Sequence, residues 1–240
     1  MDFPTSVGII ALAGLIHASF QLSISMLTLL SGHSIGAKSA ASRTLRLAGS
    51  FFAGVVTMTL LVVAFLGYVA SQLFRHDVPP LVWSIVSGLM LGLGVAVWAF
   101  YYRRADGTSL WLPRGFARFL SDRTKSTRSS VEAFSLGLTS VLAEGLFIFT
   151  PAAAAALTMI KFSPPAQLGG LLLYVAIASF SLAIVVVLIG SGHKLSTIQK
   201  WREDNKRFLQ FAAGSALIIL GFYLYVNSVV APAALSAGGL

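Results

Sequence analysis

The chain has 240 residues, 56% of them hydrophobic and only 10% charged, against about 25% charged in a soluble globular domain. A mean hydropathy of +0.84 puts it in the integral-membrane class, and the absence of cysteine excludes disulfides, thiolate metal sites and dithiol redox shuttling. The net charge of +9 sits in a few loops between apolar segments, which favours a lipid-bound protein over a nucleic-acid partner.

A bilayer-crossing helix needs about 20 mostly apolar residues, and six segments meet that requirement. In chain order they are Ser6–Leu30, Leu47–Leu73, Leu81–Tyr102, Glu132–Ile160, Leu168–Gly190 and Phe208–Val230. No Lys or Arg precedes the first. A cleaved signal peptide needs a basic n-region, so this segment is expected to be a retained span. Prolines in "HDVPPLVW" and "KFSPPAQL" precede the third and fifth segments, where a proline can open a helix at little cost.

The basic residues sort by side. Lys38, Arg43 and Arg46 lie between segments one and two. Arg103, Arg104, Arg114, Arg118, Arg123, Lys125 and Arg128 lie between three and four, and Lys194, Lys200, Arg202, Lys206 and Arg207 between five and six. These are 15 of the 17 Lys and Arg; only Arg75 and Lys161 fall on the other side. The positive-inside rule then places the three basic loops in the cytoplasm and both termini outside. The expected location is a plasma or inner membrane, crossed several times. Within the long loop, "WLPRGFARFLSDR" puts Leu112, Phe116 and Phe119 on one helical face. That suits a short helix on the inner leaflet, and equally an ordinary basic loop.

Three spans followed by three spans implies that the second half enters the membrane from the opposite side. The expected fold is therefore an all-α polytopic membrane protein of six transmembrane helices, arranged as two inverted three-helix repeats. Residues 1–102 form the first repeat, 103–131 a basic cytoplasmic loop and 132–240 the second repeat. Laid without gaps, "GLIHASFQLSISMLTL" from Gly14 and "GLTSVLAEGLFIFTPA" from Gly137 pair Gly14 with Gly137, His17 with Ser140, Gln21 with Glu144 and Thr28 with Pro151. In the third spans of each half, Gly88 pairs with Gly214.

His17, Gln21, Ser25 and Thr28 share one helical face with Gly14, and Gly137, Ser140, Glu144 and Pro151 share another. Neither polar stripe suits lipid, so the two are expected to face each other across the bundle centre, with small residues allowing close approach or room for a solute. Glu144 is the only acidic residue well inside a span. A carboxylate at mid-membrane costs a few kcal/mol even on lenient scales, which makes it a functional candidate; the alternative is a buried Glu–His pair that fixes helix register. Pro151 lacks the amide that would bond to the Phe147 carbonyl, so the helix is expected to break there. Such a break either exposes backbone groups to a solute or merely shapes packing. "SGH" occurs at Ser31–His33 and again at Ser191–His193. A glycine cap followed by a cationic residue explains both, and no metal ligand cluster is apparent.

The size, the 3+3 plan, the outward termini, the "AEGLFIFTP" helix and the closing "GSALIILGFYLY" resemble the lysine-exporter (LysE) superfamily. That group holds small bacterial membrane proteins with two three-helix repeats: amino-acid exporters, divalent-metal exporters and the membrane domain of cytochrome c biogenesis proteins. Two features depart from it. The redox branch needs paired cysteines, which are absent here, and the exporters' Pro-Gly break in the first helix is replaced by "QLSISMLT". The resemblance implies transport and leaves the substrate open.

The expected function is secondary export of a small polar or cationic solute, driven by an ion gradient. The site would lie between the first and fourth spans, with Glu144, His17, Gln21, Ser25 and Ser140 binding substrate or ion and Pro151 breaking the helix. No enzyme activity, cofactor or metal is expected: no H-E-x-x-H motif, paired intramembrane aspartates or Ser–His dyad occurs. The partners are the solute, the bilayer and, in a homo-oligomer, further copies of the chain. The alternative is a non-transporting assembly or scaffold protein that uses its basic cytoplasmic face.

Overall fold

The computed structural model describes residues 2–20, 22–31, 38–75, 77–101, 120, 122–124, 126–191, 197, 200–201 and 204–238. Among them there is no strand. The helices in chain order are α1 (Phe3–Ser19), α2 (Leu22–Ser31), α3 (Lys38–Phe74), α4 (Pro80–Ala96), α5 (Ser130–Ala143), α6 (Gly145–Met159), α7 (Pro164–Gly190), α8 (Lys206–Tyr225) and α9 (Ala231–Gly238). Two π turns, Val97–Tyr101 and Val226–Val230, extend α4 and α8.

The local sequence accounts for several helix starts. Pro80 and Pro164 open α4 and α7, where their missing amides and fixed φ cost nothing. At α5 the Glu132 amide donates to Ser129 Oγ and the Ser129 amide donates to Glu132 Oε2, both at 3.2 Å. This capping box satisfies two otherwise orphaned donors and contributes about 1 kcal/mol. Arg75, just past α3, adopts a φ of 51°, the left-handed conformation that ends helices.

Four helices are long and apolar enough to cross a membrane: Ser42–Phe74, Pro80–Phe100, Pro164–Gly190 and Arg207–Ser236. The pair α5 and α6 meets the same test as a unit but is bent by 78°. Their outer faces are apolar: Phe65, Tyr68, Leu81, Phe180, Val187 and Phe222 are each at least 60% exposed. An isolated soluble domain rarely presents so much contiguous apolar surface, whereas lipid accepts it; this is the exterior of a multi-pass membrane protein. The first predicted span is divided between α1 and α2. α1 alone, with 17 residues, is about 26 Å long, short of the ~30 Å hydrocarbon core.

The interior forms two apolar clusters. One draws Ile10, Ile16, Trp83, Met90, Tyr174 and Leu217 from α1, α4, α7 and α8. The other draws Leu27, Phe51, Leu136, Val141 and Leu182 from α2, α3, α5 and α7. Leu120, from the long basic loop, is buried in the second cluster. The rest of the expected surface helix at 111–119 lies outside the described residues, as do His33 and His193 of the two SGH motifs.

Segments one and four pack half against opposite half: α1 lies on α6, and α2 on α5. α1 also packs on α7, α5 on α3, and α4 on α8. Glycines set the closest approaches. A Cβ added at Gly137 would strike the Phe51 carbonyl oxygen and come within 3.0 Å of Gly54 Cα, and one added at Gly14 would lie 3.1–3.2 Å from Ile177 and the Tyr174 carbonyl. The two stripes were expected to face each other. Instead their glycine ends face α7 and α3 respectively, because backbone-close contact is available there and not between α1 and α5.

Candidate functional site

The geometry of segment four differs from expectation in one central respect. The break falls at Glu144, between α5 and α6, and not at Pro151. Pro151 sits inside α6 and is buried. Six helical residues precede it, so its missing amide removes one bond from a helix that continues past it to Met159. At Glu144 the amide reaches back to Ser140 and Val141 carbonyls at 3.1 and 3.2 Å, while the Glu144 carbonyl accepts from Phe147 and Ile148 amides at 2.8 and 3.2 Å. Both helices thus keep their end hydrogen bonds across a single non-helical residue. Gly145 follows, and an added Cβ there would meet nothing within 4 Å, so the turn itself does not require a glycine at this position.

Glu144 is 0% exposed. Ser140, one turn earlier, is equally buried, and its hydroxyl donates to the Gly137 carbonyl at 2.8 Å. The break therefore carries a carboxylate fully inside the protein, among apolar helices.

His17 is 2% exposed and lies in the last turn of α1. Its Nδ1 is 3.0 Å from the Tyr174 hydroxyl, the two rings having centroids 5.7 Å apart. Tyr174 is fully buried on α7. Reading the sequence missed it: in an otherwise apolar span an isolated Tyr resembles any packing aromatic, and its partner is 157 positions away. Two further buried hydroxyls were also missed. Among the described residues, Thr150 Oγ1 on α6 and Ser179 Oγ on α7 have no hydrogen-bond partner, a costly condition for a buried polar atom and one that a bound solute or water relieves.

Phe20, directly after α1, stacks on Phe147 in the first turn of α6, with centroids 5.0 Å apart and 14° between planes. Phe20 is three residues beyond His17, and Phe147 three beyond Glu144. This stack brings the end of α1 and the α5/α6 break together in one region. Ser25 is half-buried on α2. Gln21 lies outside the described residues. Among the described residues no group of three or more His, Asp or Glu side chains could hold a metal ion. A cavity of about 320 Å³ between the starts of α1 and α7, bounded by Phe3, Val7, Phe162 and Leu173, includes none of the polar residues named above.

What results is a helix junction with a buried carboxylate at the α5/α6 break and a buried imidazole at the end of α1 that pairs with a phenol on the unbroken helix α7. Such an arrangement can bind a small polar or cationic species and can exchange a proton for it. Compared with known proteins, the chain matches no family model, no curated protein and no solved structure.

Proposed function

We propose that the chain is a secondary transporter, LysE-like in plan, that moves a small polar or cationic solute across a plasma or inner membrane at the expense of an ion gradient. The observation that carries this reading is Glu144: a fully buried carboxylate at the 78° break of an apolar helix pair. Burying it for packing alone gains nothing for stability, and broken helices in transporters characteristically expose polar groups to the solute at that depth.

We also propose six spans, counting the α1/α2 and α5/α6 pairs as one each, in two inverted repeats with both termini outside. Reciprocal packing supports this. Gly14 and Gly137, Phe51 and Tyr174, and Gly54 and Ile177 are each 123 positions apart. Gly14 packs on Tyr174 and Ile177, and Gly137 packs on Phe51 and Gly54, so exchanging the two halves maps one contact set onto the other. The second helices of the broken pairs begin at Leu22 and Gly145, at the same separation. In the third helices, Gly94 packs on Gly214 and Ile218, and Gly221 packs on Ser87 and Leu91; these match at a separation of 127, one position from the Gly88–Gly214 pairing suggested by sequence. Both third helices also run into a π turn.

The test is reconstitution. A sensitivity screen of a deletion strain identifies candidate solutes, and purified protein in proteoliposomes is then given an imposed pH or ion gradient. A transporter moves one of those solutes against its gradient and stops when the ion gradient is collapsed. A scaffold leaves the flux at the level of empty liposomes.

A further inference from the structure

We infer that Tyr174 is a positioning residue for His17: its phenol donates to His17 Nδ1 and so holds the imidazole with a proton on Nε2, which makes His17 a hydrogen-bond donor to an oxygen atom of the solute. The inference rests on the transporter reading for the presence of a solute and adds the role of this side chain toward it.

Placement comes from the backbone. Gly14, one turn before His17, lies so close to α7 that an added Cβ would be 3.2 Å from the Tyr174 carbonyl oxygen. One residue beyond His17, the Ala18 carbonyl oxygen lies 3.5 Å from Ser181 Oγ. α1 is therefore held against α7 on both sides of the imidazole, and Nδ1 sits 3.0 Å from the phenol oxygen.

Two polarities are open to that contact, because a neutral imidazole has one N–H and one lone pair, and a phenol can donate or accept. In the first, Nδ1–H donates to the phenol oxygen. The phenol proton then has no acceptor among the described residues, on a side chain that is fully buried. In the second, the phenol donates to Nδ1, and the donor left over is Nε2–H. Each polarity leaves one donor over, so the strength of the bond that is made decides. A phenol is a stronger acid than a neutral imidazole N–H, and an imidazole nitrogen is a stronger base than a phenol oxygen. The second polarity therefore joins the better donor to the better acceptor. An imidazolium would bury a charge and still strand the phenol proton.

The donor left over defines what His17 can meet. Nε2–H has no hydrogen-bond partner among the described residues, and an unmet buried donor costs about 1–3 kcal/mol. A carbonyl, carboxylate or hydroxyl oxygen supplies the lone pair that it lacks. A bare metal ion does not, since it needs a lone pair from the ring.

The other half of the chain shows that packing does not require this pair. At the separation of 123 that relates the proposed repeats, His17 corresponds to Ser140 and Tyr174 to Phe51. There the Ser140 hydroxyl donates to the Gly137 carbonyl of its own helix, and Phe51 has no polar side-chain atom. Gly137 nonetheless packs on the Phe51 backbone more closely than Gly14 does on that of Tyr174. The crossing forms without an imidazole or a phenol, which leaves the pair a functional role.

The experiment is solid-state nitrogen NMR of the full chain, isotopically labelled at histidine, in lipid bilayers at neutral pH. His33→Gln, His76→Gln and His193→Gln together leave His17 as the one histidine in the sequence. The expected spectrum has Nδ1 at the shift of an unprotonated nitrogen and Nε2 at that of a protonated one. Adding Tyr174→Phe should raise the population protonated at Nδ1. A protonated Nδ1 in the chain that keeps Tyr174, with or without a protonated Nε2, overturns the inference, as does a spectrum unchanged by Tyr174→Phe. Should Tyr174→Phe fail to fold, the spectrum of its parent still decides. The donor role is read from flux of the solute that the sensitivity screen yields. His17→Gln keeps an N–H donor and His17→Met does not, so the glutamine variant should retain about tenfold more flux, the effect of one hydrogen bond. Equal flux in the two variants overturns the donor role. The two readings fail separately: a protonated Nε2 without flux of any solute defeats transport and leaves the Tyr174 assignment standing, whereas flux with a protonated Nδ1 does the reverse.

Discussion

The Gly137 contact makes a graded prediction about stability. A methyl group added at Gly137 would overlap the Phe51 carbonyl oxygen, and one at Gly54 would overlap the Phe134 carbonyl oxygen. Both obstacles are backbone, so no rotamer change relieves them. A carbon–oxygen contact needs roughly 3.2 Å, and restoring it requires α3 and α5 to part by about 1 Å along a long interface whose contacts decay within that distance. Overpacking of this kind costs about 3 kcal/mol, the upper end of its usual range. Gly14→Ala meets Ile177 Cβ, Ile177 Cγ2 and the Tyr174 carbonyl oxygen at 3.1–3.2 Å, a few tenths of an ångström inside ordinary contact and not an overlap, so about 1 kcal/mol is expected. Gly92→Ala on α4 meets nothing within 4 Å and should stabilise by about 0.5 to 1 kcal/mol, since alanine is the better helix former. The assay is equilibrium unfolding in mixed micelles. The order expected is Gly92→Ala above wild type, wild type above Gly14→Ala, and Gly54→Ala and Gly137→Ala lowest. Gly137→Ala unfolding within about 0.5 kcal/mol of wild type, the range of an inconsequential surface change, would refute the α3–α5 packing.

Three further outcomes are expected. Tyr174→Phe removes the phenol from His17 Nδ1 and leaves a buried polar atom behind, costing about 1–3 kcal/mol in the same assay; no loss would mean that the His17–Tyr174 hydrogen bond is absent. Paired cysteines at Phe20 and Phe147, whose ring centroids are 5.0 Å apart, should crosslink with a short reagent in this cysteine-free chain, while a pair at Gly14 and Gly137 should not; the opposite pattern would restore the face-to-face stripes. Reporter fusions at Arg118 and Ser196 should read cytoplasmic and those at Asp77 and Gly238 external, and a cytoplasmic C-terminus would remove the inverted repeat.

Helix positions were largely legible because apolar run length and proline placement act locally: α4 and α7 start at Pro80 and Pro164, in the proline pairs that the sequence offers. The break was not. Pro151 is the stronger local signal, yet a proline deep in a packed helix forfeits one hydrogen bond, while the 78° turn at Glu144 answers to where α5 must meet α3 and α6 must meet α1. Burial of His17, Ser140 and Glu144 follows from their polarity in apolar segments, which period and composition reveal. The partner of His17 does not follow, because the phenol of Tyr174 comes from a helix far away in the chain, as does the Phe51 carbonyl that meets Gly137. The π turns leave no mark in composition at all: "VWAFY" and "VNSVV" share little beyond their position at the ends of α4 and α8.

The most direct test of Glu144 as the working group is pH-dependent solute flux in proteoliposomes, comparing wild type with Glu144→Gln and Glu144→Asp. Glutamine keeps the shape of the side chain and removes its titration. The expected result is normal reconstitution with lost or gradient-uncoupled flux in Glu144→Gln, and partial flux in Glu144→Asp, which keeps the charge on a shorter reach. Glu144→Gln protein that reconstitutes fully and moves solute at the wild-type rate with the wild-type pH profile would make Glu144 a packing residue and contradict the transport mechanism.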